Sequence, residues 1–343
     1  MNKLLKTSLA MILVGVILAG IGLLAGGRIS SISFTKEGVK VYDSAKSKNV
    51  IKESFNLDKF NKVDISSYSN LSYVQIVKGE DYKLGLQHDE ENKINYSVKD
   101  GVLTINDSSA EENGIHIGIY FNNSEQGIKV YVPKDCNLDE LKIYSGSSNI
   151  KITEVDCENI DINNEYGDVE LSNISCGDMV LKLESGDLNL TSIESKKISF
   201  ENEYGSVKFK EVNGEELSCV MDSGDFDSDS INISKDCDIK NEYGSVKMEN
   251  SSLGNFTANL DSGDIKLSNI TSVKNIDIKN SYGDVELSGK IDKNSFNYHL
   301  KCEDGYGTIE FNDKEYDGNY KEDNKAEYNI NITATSGDID IEF

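Results

Sequence analysis

From Pro133 to the carboxyl end a glycine returns about every twenty residues, at 146, 167, 186, 205, 224, 244, 263, 283, 307 and 337. The first eight steps are 21, 19, 19, 19, 20, 19, 20 and 24 residues. Apolar side chains keep register with the glycine, falling seven and five residues before it and two and four after it. Ile160, Ile162, Val169 and Leu171 do so in one unit, and Ile198, Phe200, Val207 and Phe209 do so two units on. Alternation of period two on both sides of a glycine describes strand, turn, strand. One such unit cannot bury its apolar face alone, so the units must stack. The spacing therefore predicts an all-β fold: a single-stranded parallel β-solenoid, or β-helix, of about twenty residues per coil. Two flavours of coil alternate. EYGD or EYGS occurs at 167, 205 and 244, with SYGD at 283 and GYGT at 307, whereas SGD occurs at 186, 224, 263 and 337. The heptapeptide NEYGSVK, found at 202–208 and again at 241–247, is one corner recurring every second coil.

Four segments are expected along the chain. Residues 1–28 hold a cytoplasmic amino terminus and the uncharged run Thr7–Gly27, long enough to span a bilayer as one helix. Lys3 and Lys6 precede this run and an acidic region follows, so the positive-inside rule places the terminus in the cytoplasm and the rest outside the cell. A cleaved signal peptide is the rival, although its apolar core is ordinarily shorter. Residues 29–59 read as a tether with room for one strand. Residues 60–133 show alternation without the repeat and read as a β region capping the solenoid. Residues 134–343 carry the repeat, interrupted by an insertion loop at 312–326. Net charge is −25, with 60 acidic against 35 basic residues, and Arg28 is the one arginine. That balance argues against nucleic acid as a partner.

Stacking turns each repeat position into a column. Two residues before the glycine lie Glu165, Glu184, Glu203, Asp222, Glu242 and Asp261, an acidic column that either splays into solvent or attracts divalent cations weakly. The glycine-rich calcium-binding repeat of β-rolls is absent, so no metal site is assigned. One residue after the glycine, aspartates alternate with Ser206 and Ser245 as ordinary turn chemistry. Tyr166, Tyr204, Tyr243, Tyr282 and Tyr306 recur mostly on alternate coils. They either cover the turn of the neighbouring SGD coil or, together with Glu165, Glu203 and Glu242, form a binding face. Asn164, Asn202, Asn241 and Asn280, three before the glycine, are expected to bond the turn backbone.

Cys219, Cys237 and Cys302 fall at inward positions, and Cys136, Cys157 and Cys176 all sit ten before a glycine, which predicts one stacked corner where neighbours could oxidise. The chain lacks a CxxC or paired histidines for zinc. His88, His116 and His299 are scattered, and no nucleophile elbow appears. Neither a catalytic residue nor a cofactor is assigned. The enzyme alternative is a polysaccharide-cleaving β-helix using Glu203 and Asp222 as paired carboxylates.

The stretches DGVLTI at 100–105, IKVYVP at 128–133 and IYSGSSNIKI at 143–152, with the later SGDLNL, SGDIKL and YGDVEL, resemble the bacterial putative-adhesin family of β-solenoid domains of the cell envelope. That resemblance implies a membrane-anchored accessory of surface attachment or envelope stress. It defines no catalytic residues. The chain is thus expected to be a non-catalytic extracellular binding protein, whose partner is an envelope polymer or a surface or signalling protein. A purely structural spacer is the remaining alternative.

Overall fold

The computed structural model describes residues 14, 30–35, 38–43, 50–68, 71–89, 94–107, 115–117, 125–303 and 307–343. The expected span Thr7–Gly27 lies outside these residues, Val14 apart. Among the described residues no helix is long and apolar enough to cross a membrane. The repeat region is the parallel solenoid that its period predicts, with each coil in register with the next at an offset of one repeat. Val169 pairs with Leu188, Leu188 with Val207, Val207 with Phe226, and Phe226 with Val246.

The residues two after each glycine line the interior. Val169, Leu188, Val207, Phe226, Val246, Ile265 and Val285 are completely buried. Burying one such side chain contributes about 1.5–3 kcal/mol, and every coil repeats the gain against its neighbours. Phe200, Phe209 and Phe226 form an aromatic cluster in the middle of the repeat, with ring centroids 5.3 to 6.2 Å apart. Beside it, Ser228 occupies the column of Phe209 and Met248, and its buried hydroxyl has no hydrogen-bond partner. Ser228→Ala is therefore expected to leave stability unchanged or raise it by about 1 kcal/mol, since it removes an unpaid desolvation. Denaturant unfolding of the variant checks this, and a loss of stability would show that the hydroxyl is used.

Each coil has a second corner, which the glycine spacing does not reveal. Six residues after the glycine the backbone turns left-handed at Asn173, Ser192, Glu211, Ser230, Asn250 and Asn269, with φ between 51° and 60°. Asparagine tolerates this region better than most residues, and it holds three of the six positions. The next residue, Ile174, Ile193, Val212, Ile231 or Ile270, re-enters the core.

Both ends of the rod depart from chain order. At the carboxyl end, Ile276–Tyr282 pairs not with the next strand in sequence but with Tyr328–Ser336, which in turn pairs with Phe296–Cys302. The last coil of the chain is thus inserted between the two before it. The insertion expected as a loop at 312–326 instead contains strands Glu315–Asp317 and Asn319–Glu322, which run antiparallel to Thr308–Phe311 and Phe296–Cys302. At the other end Lys62–Ser67 and Tyr73–Gly79 form a coil lying between Asn137–Thr153 on one side and, on the other, Val102–Asp107 with Gly127–Pro133. The parallel ladder therefore extends through the region expected only to cap it, well before residue 134. Strands Ile94–Lys99 and Lys83–Asp89 close this end, both antiparallel to the outermost coil. Antiparallel strands thus cover the parallel edge of the ladder at each end. The tether expected at 29–59 carries three strands. Ser30–Thr35 and Gly38–Asp43 form a hairpin joined by Ile115–Ile117, and Val50–Asn56 pairs with Lys83–Asp89.

Candidate functional site

Three columns hold the glycine corner. The first is glycine itself. Gly186, Gly205, Gly224, Gly244 and Gly263 have φ between 124° and 142°, and a Cβ on any of them would lie 2.1–2.2 Å from the carbonyl oxygen of the glycine one coil before. The second is asparagine. Asn202 Nδ2 donates to the carbonyl of its own Gly205 at 3.1 Å and to that of Gly186 in the preceding coil at 3.4 Å. Asn164 likewise reaches Gly167 and Ser148, while Asn241 and Asn280 reach Gly224 and Gly263 at 2.9 Å. An amide has two N–H groups, so one asparagine can serve two coils. The coils between can then place Leu183, Met221 and Leu260 at that position, and this accounts for the two-coil period of the sequence. The third column is aspartate and serine. Asp168 Oδ1 accepts from the Asp187 amide, Asp187 from Ser206, Asp225 from Ser245, and Asp264 from Asp284, all at 2.9–3.0 Å. The structural reading of these asparagines and aspartates holds.

These hydrogen bonds hold the corner without help from the tyrosines, although the Oδ1 atoms of Asn164, Asn202, Asn241 and Asn280 are buried there without a partner. Tyr166, Tyr204, Tyr243 and Tyr282 are 57, 61, 63 and 64% exposed. Whatever cover they give the serine turns, the larger part of each ring faces solvent. They share a column with the serines, in the order Tyr166, Ser185, Tyr204, Ser223, Tyr243, Ser262, Tyr282, Ser336. Tyr306 lies outside the described residues. Its Gly307, however, stacks on Gly337, whose coil follows that of Gly283. In space the glycine flavours therefore run SYG, SGD, GYG, and the alternation that fails in the sequence at 283, 307 and 337 is restored.

The acidic column flanks these rings. Glu184, Glu203, Asp222, Glu242 and Asp261 are exposed, and no ion pair among the described residues involves them. Lysines instead pair along other columns, as Lys182 does with Glu201 at 3.1 Å and Lys235 with Glu215 at 2.6 Å. Glu165 differs from the rest: it is half-buried and accepts a hydrogen bond from the Tyr144 hydroxyl, while the Tyr144 ring sits 4.8 Å from Tyr68. That hydrogen bond, with burial second, pushes the Tyr144 phenol up to about 12. A raised pKa means that the native state holds the proton more tightly. The associated stability is whole below the ordinary tyrosine value near pH 10 and is lost as pH rises through about 12. Glu165→Gln is expected to bring the Tyr144 ionisation down, measured by ultraviolet titration of phenolate. An unchanged titration would remove Glu165 as the cause.

Glu203 and Asp222, the paired carboxylates of the enzyme alternative, are exposed and lie on adjacent coils of one column. An open cleft does exist at the other end of the molecule, lined by Phe60, Asn61, Tyr82, Pro133 and Cys136 among others. Among the described residues no group of three or more His, Cys, Asp or Glu could hold a metal ion. His88 lies 3.3 Å from Glu53 and is not among the residues lining the cleft. The cysteine corner holds in part. Cys157 and Cys176 are direct parallel partners, but Cys136 is displaced because Leu138, two residues later, is the partner of Cys157. The 21-residue first step produces that shift. All six cysteines are free thiols, and burial pushes those of Cys157 and Cys176 up.

Similarity to solved structures is low in sequence. A putative adhesin from Bacteroides fragilis is 16% identical over 68% of this chain and 98% of its own, with a TM-score of 0.40. A putative cell adhesion protein from Clostridium sporogenes is 15% identical over 86% and 99%, with a TM-score of 0.23. A putative lipid binding protein from Parabacteroides distasonis is 15% identical over 69% and 96%, with a TM-score of 0.35. No curated protein sequence matches. The family model Toastrack DUF4097 matches residues 60–249 and 192–342, which between them span the entire solenoid, and the chain belongs to that family.

Proposed function

We propose that this protein is a non-catalytic binding protein of the bacterial cell envelope, held at the membrane by a helix over Thr7–Gly27 with the solenoid outside the cell. Its binding face is the glycine edge, where Tyr166, Tyr204, Tyr243 and Tyr282 stand between two acidic columns. The observation that carries this reading is the exposure of those rings: four aromatic side chains, each more than half open to solvent, in one column along a corner held by asparagine hydrogen bonds. Large side chains held on a rigid ladder lose little entropy on contact and present broad area, which is what a recognition surface needs.

Two measurements test this. Protease digestion of intact cells producing the full chain is expected to degrade the solenoid while sparing the amino terminus; protection of the whole chain would refute the orientation. Co-sedimentation of the full chain with isolated envelope fractions is expected to be lost in the double variant Tyr204→Ser, Tyr243→Ser, with unfolding unchanged. Sedimentation unaffected by the double variant would remove the edge as the binding face.

A further inference from the structure

The spacing of the rings selects among ligand shapes. Parallel neighbours lie about 4.8 Å apart, so tyrosines on alternate coils recur about every 9.6 Å. A polyproline II helix rises 3.1 Å per residue with three residues per turn, and so presents the same side about every 9.3 Å. Over the three intervals from Tyr166 to Tyr282 the accumulated mismatch is about 1 Å, which side-chain rotation absorbs. A β-strand repeats its face about every 6.7 Å and loses phase after one ring. Two turns of α-helix cover about 10.8 Å and fall out of step by more than 3 Å over the same length.

Charge selects further. Beside each gap between rings stands an acid on the serine coil, Glu184, Asp222 or Asp261, and across the corner runs the aspartate column that includes Asp187, Asp225 and Asp264. Neither column contains a basic residue at these coils. A ligand lying along the rings therefore meets carboxylates on both flanks at every step. Aromatic faces with acids alongside suit lysine or arginine, whose stems lie on the ring while their heads reach the carboxylates.

We infer that the tyrosine edge binds a cationic polypeptide segment of about ten residues in the polyproline II conformation, with a lysine or arginine in each three-residue turn. This rests on the binding face proposed above and adds the identity of its occupant. Proline or another apolar residue of each turn packs on a ring, and the basic residue of the same turn drops toward the acid of the intervening serine coil. The preformed helix of the ligand matches the preformed ladder of the protein, so neither partner has to order on binding.

The test uses the full chain in detergent micelles and fluorescent peptides followed by anisotropy. A peptide of repeated Pro-Pro-Lys is expected to bind at least tenfold more tightly than one of equal charge and length in which threonine replaces every proline. Tyr204→Ser with Tyr243→Ser is expected to abolish that preference. Ser223→Tyr, which inserts a ring at half the pitch, is expected to weaken Pro-Pro-Lys binding at least tenfold, although it adds aromatic surface. Equal binding of the two peptides, or tighter binding by Ser223→Tyr, would overturn the polyproline assignment. Binding of an uncharged glycan chain through the same tyrosines would overturn it too while sustaining the binding face. If neither peptide, glycan nor envelope fraction responds to the tyrosine substitutions, both readings fail.

Discussion

Gly205→Ala is expected to lower stability by at least about 3 kcal/mol, more than any surface substitution on the same coil. Two effects combine. The backbone there has φ 142°, a conformation essentially confined to glycine, and an added Cβ would lie 2.1 Å from the Gly186 carbonyl oxygen. That oxygen is backbone and belongs to a coil fixed from both sides, so it cannot swing away as a side-chain end would. The control is Gly85→Ala, where the nearest atoms lie at 3.7 and 3.8 Å and a methyl group fits. Denaturant unfolding of both variants decides the matter, and a loss below about 1 kcal/mol at Gly205 would mean that the ladder can part locally.

Asn202→Asp is expected to cost on the order of 3–5 kcal/mol at neutral pH, although the two side chains have the same shape. The asparagine donates to two glycine carbonyls; an aspartate would set an uncompensated buried charge against those same oxygens. Folding then holds the carboxyl protonated, so its native pKa rises above the unfolded value near 3.9. The penalty relative to the parent is accordingly smallest below about pH 4 and grows as pH rises through the raised value. Paired unfolding curves across this range provide the measurement, and a pH-independent penalty would show that the carboxylate escapes to solvent. Asn202→Leu supplies the complementary case. It copies Leu183 of the preceding coil, yet it leaves two carbonyls without their donor and is expected to cost about 1–3 kcal/mol.

How much of this was legible beforehand differs from one column to the next. The inward residues at two and four after the glycine were readable because one side chain per position must face the core, and period two records which. The asparagines were readable as turn donors, since an amide three residues before a glycine has the backbone carbonyls within reach. The left-handed corner was missed because only three of its six positions are asparagine; Glu211, Ser192 and Ser230 adopt the same backbone without announcing it. The tyrosines were ambiguous. Exposure depends on whether the corner beneath still needs covering, and that follows from hydrogen bonds between coils. One signal was present and unused: the Tyr/Ser alternation fails in sequence at 283, 307 and 337, and its failure marks the place where the order of stacking changes.

By itself the sequence determined the repeat, the parallel stacking, the interior columns and the glycine corner. Each of these is a local rule applied once per coil, and twenty residues suffice to state it. Only the tertiary structure decided how the rod ends and which side chains remain available along its edge. At the ends a coil has a neighbour on one side only, so the chain there is free to trade sequential order for antiparallel closure. Along the edge, availability is what remains once the coils have stacked: Asn202 turns in to the glycine carbonyls, while the tyrosines stay more than half open to solvent.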